Sequence, residues 1–473
     1  MKPLYQNAFY LIFIILFVTF GQKVYGQVDK VYIKYISFEG LKKTKISAVK
    51  RYMNIKEGDS ISLSQLMPKL EENKRNILNS KLFSSVELKI LEWQDEFVSL
   101  QLKVVESWYV FPIPIFELAD RNFNVWWKDF NRDISRLNSG IAVYWRNMAG
   151  YNDRLSFIAQ FGFTRKFEID YELPPVGKNQ KFGASFNILY SDNKESIFNA
   201  VDNKLIFFSN LNTRDRQFTR FRTGVKLRYR KSVYSNHYLD LYYQKLGISD
   251  SIYIRNPDFF LSGRRTQRSF TFNYSYEYDK RDIWTYPLSG YFISFYLQKR
   301  GLGIVNDINQ LWLGSRIALY KKLGKRWSIG LLSEGRYSVF RHKDPFYQQQ
   351  ALGYGDSFVR GYQYYVVNGQ NYCLFRSDLN FKILDVTVPL SKKERSPLFY
   401  EIPIRIHSRL HADYGYVQDR FYYSGNKLNN SHMYAGGLGL DFAFYNYNIL
   451  VQIEYTMNRL LQKDLYLTVK ANF

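Results

Sequence analysis

Long stretches of this chain alternate apolar and polar residues with a period of two. Between Arg220 and Arg230 the even positions are Arg220, Arg222, Gly224, Lys226, Arg228 and Arg230, and the odd ones Phe221, Thr223, Val225, Leu227 and Tyr229. From Ser269 to Tyr278, Phe270, Phe272, Tyr274, Tyr276 and Tyr278 alternate with serine, threonine, asparagine, serine and glutamate. At the end of the chain Leu465, Leu467, Val469, Ala471 and Phe473 alternate with Asp464, Tyr466, Thr468, Lys470 and Asn472. A period of two puts successive side chains on opposite faces of a strand. Sixteen such segments are predicted, at 109–118, 137–146, 153–163, 166–173, 181–191, 217–230, 236–247, 268–279, 290–300, 308–320, 325–340, 371–384, 402–414, 433–444, 448–456 and 464–473. A further run, Lys204 to Ser209, falls between the fifth and sixth and is assigned to an outward extension of that connection. Strands of about ten residues, charged on one face and aromatic on the other, predict an antiparallel transmembrane β-barrel with a wet interior. A soluble sandwich would bury the apolar face instead. Sixteen is even, as a bacterial single-chain barrel requires. The odd-to-even connections 119–136, 192–216, 248–267, 341–370 and 415–432 are long. Most of the others are short turns, with 385–401 the exception, and long-out, short-in asymmetry is typical of outer-membrane barrels.

The preceding residues have a different texture. Val31 to Phe38 reads as a strand closed by Glu39-Gly40, and Thr44 is a candidate cap for a helix to about Tyr52. Ser62 or Ser64 is a candidate cap for a second helix to about Asn79, with Leu63, Leu66, Leu70, Ile77 and Leu78 near one face. Ser84 to Glu92 and Phe97 to Glu106 are two alternating strands joined at Gln94-Asp95-Glu96. The order β-α-α-β-β predicts a small α/β domain over 27–108, ahead of a barrel over 109–473.

Composition narrows the setting. Aromatics make up 18% of the 473 residues, with 41 Tyr and 38 Phe, as interfacial girdles require. The single cysteine, Cys373, excludes an internal disulfide framework and a cysteine-ligated zinc site. The formal charge is +24, yet Lys and Arg are spread along the chain without a basic tail or a nucleic-acid module. Anionic lipid surfaces are the expected counterpart, and nucleic acid is not. Lys2, the apolar run Ala8 to Phe20 and Val24-Tyr25-Gly26 make residues 1–26 a predicted secretory signal peptide, cleaved before Gln27. No cysteine lies near that point, so a lipid anchor is not expected. No later segment is long and apolar enough for a transmembrane helix, so membrane passage would be by strands. The chain carries no Gly-x-Ser-x-Gly, no His-Glu-x-x-His, no phosphate loop and only five His. No nucleophile–base constellation appears, so neither an enzyme nor a cofactor is expected.

Several local features carry a family resemblance. Phe38-Glu39-Gly40, and Ser80-Lys-Leu-Phe83 followed by Val86, fall where a polypeptide-transport-associated (POTRA) domain keeps its turn and its second-helix exit. Asp279, Arg281, Asp282, Pro287 and Gly290 lie in Asp-Lys-Arg-Asp-Ile-Trp-Thr-Tyr-Pro-Leu-Ser-Gly, which resembles an inner turn between the eighth and ninth strands. Val359-Arg360-Gly361-Tyr362 resembles a Val-Arg-Gly-Phe/Tyr tip of the sixth outer loop. His411-Ala-Asp413-Tyr-Gly415 resembles Phe-x-Asp-x-Gly on strand thirteen, with His in place of Phe. Phe473 ends the last strand as a terminal assembly signal would. The chain therefore resembles the BamA/TamA-like outer-membrane assembly and secretion superfamily, which includes the bacterial surface antigens, as a member with a single POTRA domain. The resemblance implies insertion or translocation of client proteins at the bacterial outer membrane. The POTRA domain would lie in the periplasm, its strand edge receiving unfolded client polypeptides by strand addition, with accessory periplasmic proteins as possible partners. A barrel channel or surface-binding protein without assembly activity is the alternative. Housekeeping members usually carry several POTRA domains, so a single one points to an accessory or client-specific member.

The residues themselves set the candidate site. Arg360 is the only charge between Ser357 and Tyr365, and Gly361 beside it permits a tight turn. Alternation puts Asp378 with Arg376 and Asn380 on one face of strand twelve, and Asp413 with His407, Arg409 and His411 on one face of strand thirteen. Both aspartates are predicted to face the lumen, where a loop folded inward would set Arg360 against either carboxylate. His407 and His411 are ~13 Å apart along a strand, too far to share a metal. Pro112 and Pro114 lie in strand one and each removes a ladder donor, so the closure between strands one and sixteen is the predicted lateral seam, unless the prolines sit below its first inter-strand bond.

Overall fold

A computed structural model of the protein describes residues 30–120, 122–176, 181–209, 216–305, 307–389, 401–421, 424–444 and 449–471. The predicted signal peptide and Phe473 lie outside the described residues. The chain divides into two compact units between Ser107 and Trp108.

The first unit is a four-stranded sheet in the order β2-β1-β4-β3, formed by β1 (Lys30–Glu39), β2 (Ser60–Ser62), β3 (Phe83–Gln94) and β4 (Phe97–Glu106). Two helices, α1 (Ile46–Lys50) and α2 (Leu63–Asn79), complete it. Alternating Val98, Leu100, Leu102 and Val104 on the central β4, with Val31 and Ile33 on β1, build the core against Leu66, Leu70 and Ile77 of α2. That 66/70/73/77 stripe is the inward helical face. Leu78, expected near it, is 43% exposed because it lies off the stripe, and Leu63, in register with Leu66 and Leu70, is 40% exposed at the first position of the helix. Asn73 sits within the stripe, its carboxamide oxygen accepting from the Asn54 and Ile55 amides at 2.5 and 3.3 Å. Gly40, at φ +88°, closes β1 where a Cβ would meet the Val104 carbonyl oxygen at 2.0 Å. The short strand β2 escapes sequence reading because three residues carry no period. Thr44 does not cap α1. Lys45 holds that position without a side-chain bond, and the loop at 42–44 is held instead by Glu106, which accepts from the Lys42, Lys43 and Thr44 amides. Ser62 is the N-cap residue of α2, also without a side-chain bond to the helix.

The second unit is a sixteen-stranded antiparallel sheet in which every strand pairs with its neighbour in sequence order. Its strands are β5 (Val110–Leu118), β6 (Leu137–Arg146), β7 (Arg154–Gly162), β8 (Thr164–Val176), β9 (Phe182–Asn193), β12 (Phe218–Arg230), β13 (Ser235–Ile248), β14 (Thr266–Asp279), β15 (Gly290–Arg300), β16 (Gln310–Lys322), β17 (Trp327–Ser338), β20 (Asn371–Pro389), β21 (Glu401–Gln418), β22 (His432–Phe444), β23 (Ile449–Asn458) and β24 (Lys463–Ala471). All sixteen predicted strands are present, with ends shifted by a few residues. The seventeenth run is β11 (Lys204–Ser209), which pairs with β10 (Glu195–Val201) in an outer hairpin. Two short strands, β18 (Gln350–Leu352) and β19 (Val367–Asn368), pair within the sixth outer loop.

The faces follow the alternation. Val225, Leu241, Phe295, Leu331, Leu438 and Val469 are exposed on the outside of the wall, as a lipid-facing surface requires. The opposite face carries Gln160, Thr271, Asn380, Arg409 and Asp441, all buried within the barrel. The first and last strands are bridged by α3 (Phe123–Lys128) in the first outer loop. There the Asn124 side chain accepts from the Leu467 amide at 3.2 Å and donates to its carbonyl at 3.4 Å, and Lys128 pairs with Asp464.

Candidate functional site in the barrel lumen

The sixth outer loop returns into the barrel, and its tip is built around apolar anchors. Val359 and Tyr362 are buried with Leu352, Leu374, Val417, Met433 and Ala435. Gly361 adopts φ +86°, and a Cβ there would lie 2.9 Å from Thr456 Cγ2 and 3.2 Å from Ala435 Cβ. The position therefore needs glycine both for its backbone and for its closeness to the wall. Gly415 on β21 makes the reciprocal room, since a Cβ there would meet Val359 Cγ2 at 2.4 Å. The carbonyl of Gly361 accepts from Asn458 Nδ2 at 2.7 Å and from the Tyr466 hydroxyl at 3.3 Å, tying the tip to the last two strands.

Between these anchors Arg360 reaches both candidate carboxylates. Its Nε and Nη2 donate to Asp413 at 2.8 and 2.5 Å, its backbone amide donates to Asp413 Oδ2 at 3.0 Å, and Nη1 donates to Asp378 Oδ1 at 2.6 Å. Both Arg360 and Asp413 are 4% exposed. A guanidinium with a bidentate partner on one side and a second carboxylate on the other uses the fork geometry that lysine lacks. Arg376, on the same face of β20, donates to the Phe358 carbonyl and lies 3.7 Å from Asp413. The sequence left the choice between Asp378 and Asp413 open, and the structure uses both.

The network continues inward through residues that sequence reading left without a role. Arg409 lies 3.6 Å from Asp378 Oδ1 and 3.1 Å from Asp441 Oδ2, and it also pairs with Glu454. Asp441 accepts in turn from the hydroxyl of Tyr286 at 2.8 Å. Tyr286 belongs to the inner turn between β14 and β15. It points into the lumen, lies tilted against His407 with ring centroids 4.7 Å apart, and packs on Ala443 and Leu450. The predicted turn residues are its scaffold. Arg281 is bidentate to Asp279 at 2.8 and 2.6 Å. Asp282 accepts from the amides of Ile283, Leu288 and Ser289. Gly290 turns at φ +97°, where a Cβ would meet the Lys280 carbonyl oxygen at 2.0 Å. Pro287 lies directly after the tyrosine they present. A lone acid in an apolar strand, as in Leu440-Asp441-Phe442 or Ile453-Glu454-Tyr455, was the available signal for the partners of Arg409. His411, where the family pattern has Phe, faces Thr456 Oγ1 at 3.1 Å.

The outer mouth is roofed by a second cluster. The hairpin β10–β11 turns at Asp202 and Asn203, both with positive φ. Asn203 then accepts from the Leu428 amide at 2.9 Å and donates to the Val366 carbonyl and to Asn429 at 3.2 and 3.0 Å. Pro112 and Pro114 are paired in register with Val143 and Ile141 on β6. Arg146 donates to the Tyr109 carbonyl and Ala119 to that of Arg136, so odd-numbered residues of this stretch face β6. The nitrogens of both prolines therefore face the opposite edge, the side on which the seam lies, and cost the β5–β6 ladder nothing.

Residues 31–107 match the family model described as POTRA, surface antigen variable number repeat. Among solved structures, BamA from Haemophilus ducreyi lacking POTRA domains 1–3 superposes with TM-score 0.56 at 14% identity, over 93% of this chain and 85% of that one. CdiB from Escherichia coli gives 0.56 at 13%, over 93% and 75%. CdiB from Acinetobacter baumannii gives 0.53 at 14%, over 93% and 73%. The chain has the fold of the BamA/TamA-like superfamily. No curated protein matches it by sequence. Within the BamA-like fold, the Val-Arg-Gly-Tyr tip and the aspartates of β20 and β21 are among the residues that join the sixth outer loop to the wall.

Proposed function

We propose that the chain is a bacterial outer-membrane protein that inserts or translocates client polypeptides, with its POTRA domain in the periplasm and no catalytic chemistry of its own. The observation that carries this reading is the inward-folded sixth loop, locked by Arg360 to Asp413 and Asp378 within a BamA-like barrel behind one POTRA domain. In the POTRA sheet β2 and β3 are the outer strands. β2 has three residues, so the twelve-residue β3 is the edge long enough to take an extended client by strand addition. Accessory periplasmic proteins would meet the chain at the same domain. The seam between β5 and β24, with both prolines facing it, is the place where the wall would open to the membrane.

A passive channel is the weaker reading. Tyr286 from one end and Arg360 from the other occupy the lumen beside β20–β23, and the Asn203 cluster roofs the outer mouth. Depletion of the protein followed by quantitative proteomics of the outer membrane tests the proposal. Loss of a defined set of other proteins is expected, while an unchanged proteome, with anion conductance in planar bilayers, would move the assignment to a channel.

A further inference from the structure

The outer rim of β13–β15 carries positive charge on the side of the wall that faces lipid. On β13, Lys245 shares a face with Leu239 and Leu241, which are 38% and 47% exposed. On β14, Arg268 shares a face with Phe270, Phe272 and Tyr274. Lys245 and Arg268 are directly opposed in register, and one pair inward on the same face Tyr243 opposes Phe270, ring centroids 5.2 Å apart. An aromatic pair of this kind sits at headgroup level. The two cations stand two residues farther out, roughly 7 Å at ~3.4 Å per residue. Arg264 and Arg265, from the loop between the strands, complete the wall of a cleft of about 710 Å³.

Like charges placed opposite each other across a ladder repel. The carboxylates nearby do not balance them. Asp307 lies 3.2 Å from Arg264 and 3.6 Å from Arg268, and Asp250 lies 2.9 Å from Arg265. Lys245 has no carboxylate partner among the described residues. Four cations against two carboxylates leave a charge of about +2 in an open cleft, which suits one phosphate monoester. A neighbouring cleft, which shares Arg264 and Asp307, adds Lys299, another outward-facing residue at the end of β15.

We propose that this cleft binds the phosphate of a phosphorylated glycolipid headgroup in the outer leaflet. The source is lipid because the side chains leave the wall on its apolar side, above an aromatic pair that marks the interface. A soluble anion would have no need of that placement. The site rests on the reading of the barrel as an outer-membrane protein, and it is independent of any assembly activity.

The test uses the full chain, purified in detergent micelles and titrated by native mass spectrometry with diphosphoryl lipid A, with its dephosphorylated form, and with inorganic phosphate. Lys245→Ser/Arg268→Ser should weaken binding of the diphosphoryl form roughly 25-fold, about fivefold for each cation removed. Lys231→Ser, on an exposed inner turn, should leave it unchanged. Equal binding by the double variant, or equal binding of the dephosphorylated lipid, would overturn the proposal. Competition by inorganic phosphate at the same concentration would make the cleft a soluble-anion site and overturn the lipid assignment. Heat-modifiable gel migration reads whether each variant is folded. If the double variant is not, Lys245→Ser and the conservative Lys245→Arg carry the test, with a fivefold loss and no loss expected. The depletion proteome reports separately on assembly, so either result can fail without the other.

Discussion

Replacing Arg360 by Ala removes the guanidinium that donates to both Asp413 and Asp378, and strands Asp413, which is 4% exposed in the intact protein. Breaking one side of a buried ion pair costs about 3–5 kcal/mol, because the remaining charge stays buried. Two features place this case at the lower end. The backbone amide of residue 360 still donates to Asp413, with Arg376 3.7 Å from that carboxylate. Asp378 keeps Arg409 at 3.6 Å, and its side chain is 27% exposed. A loss of about 3 kcal/mol is expected, which at about 2 °C per kcal/mol for a large domain lowers the unfolding midpoint by about 6 °C. The assay is the temperature at which the fast-migrating folded form disappears on a semi-native gel. Arg360→Lys should fall in between, since one point charge cannot hold both carboxylates. Arg360→Ala/Asp413→Asn should cost less than the two single changes summed, because the second removes the stranded charge. Midpoints within 1 °C of wild type for Arg360→Ala, or strict additivity in the cycle, would refute the lock.

Tyr286→Phe removes the hydroxyl that donates to Asp441 and should cost about 2 kcal/mol, read as faster tryptic cleavage at Lys280 and Arg281; unchanged cleavage counts against an anchored inner turn. Gly361→Ala should lower the barrel midpoint more than Gly355→Ala, where φ is also positive but nothing lies within 4 Å of a Cβ; equal effects would remove the packing argument. Deletion of Phe473 should reduce the amount of this protein reaching the membrane, and normal levels would make the residue a girdle aromatic only. In the POTRA domain burial pushes the Glu106 carboxyl up, but hydrogen bonds from Thr44, Lys43 and Lys42 outweigh it and hold it below the ordinary value of about 4.5. A depressed pKa gives stability that is full above about pH 4.5 and is lost as pH falls through the folded-state value. Glu106→Gln should flatten urea stability over that acid window, and an unaltered pH profile would show that the contacts contribute nothing.

Much of the fold was legible because a barrel writes its geometry locally. Each strand carries its own period of two, and parity alone sets Asp378 and Asp413 on the inner face. The motif at 359–362 then follows as a loop with two candidate partners. Tyr286 was not legible, because nothing in an inner turn announces that its tyrosine enters the lumen and meets Asp441, 155 residues later. Asn203 was hidden for the same reason, since its bonds to Val366, Leu428 and Asn429 join three loops that carry no period. The misreadings in the POTRA domain were of the opposite kind. Thr44 fits a local capping pattern, but Glu106, 62 residues away, engages that loop, and a long-range contact overrode the local preference.

The polar residues of the lumen also explain why the sixth loop and the inner turn dock on the same strands. Arg360 holds Asp378, Asp378 is shared with Arg409, Arg409 holds Asp441, and Asp441 accepts from Tyr286. Each carboxylate in this series has a cation or a donor on either side, so none of them is satisfied by one anchor alone. Withdrawing the loop strands charge beside Arg409, and withdrawing the turn strands Asp441 beside the same arginine. The cost of leaving a buried charge half-paired therefore falls on a residue that both anchors share. Arg409, rather than either anchor, is the position through which the outer loop and the inner turn are energetically linked. A barrel wall built this way is held as one body along β20–β23, whereas β5 and β24 are bridged at their outer side by single side chains such as Asn124. Opening at the proposed seam would leave β20–β23, and the lock they carry, undisturbed.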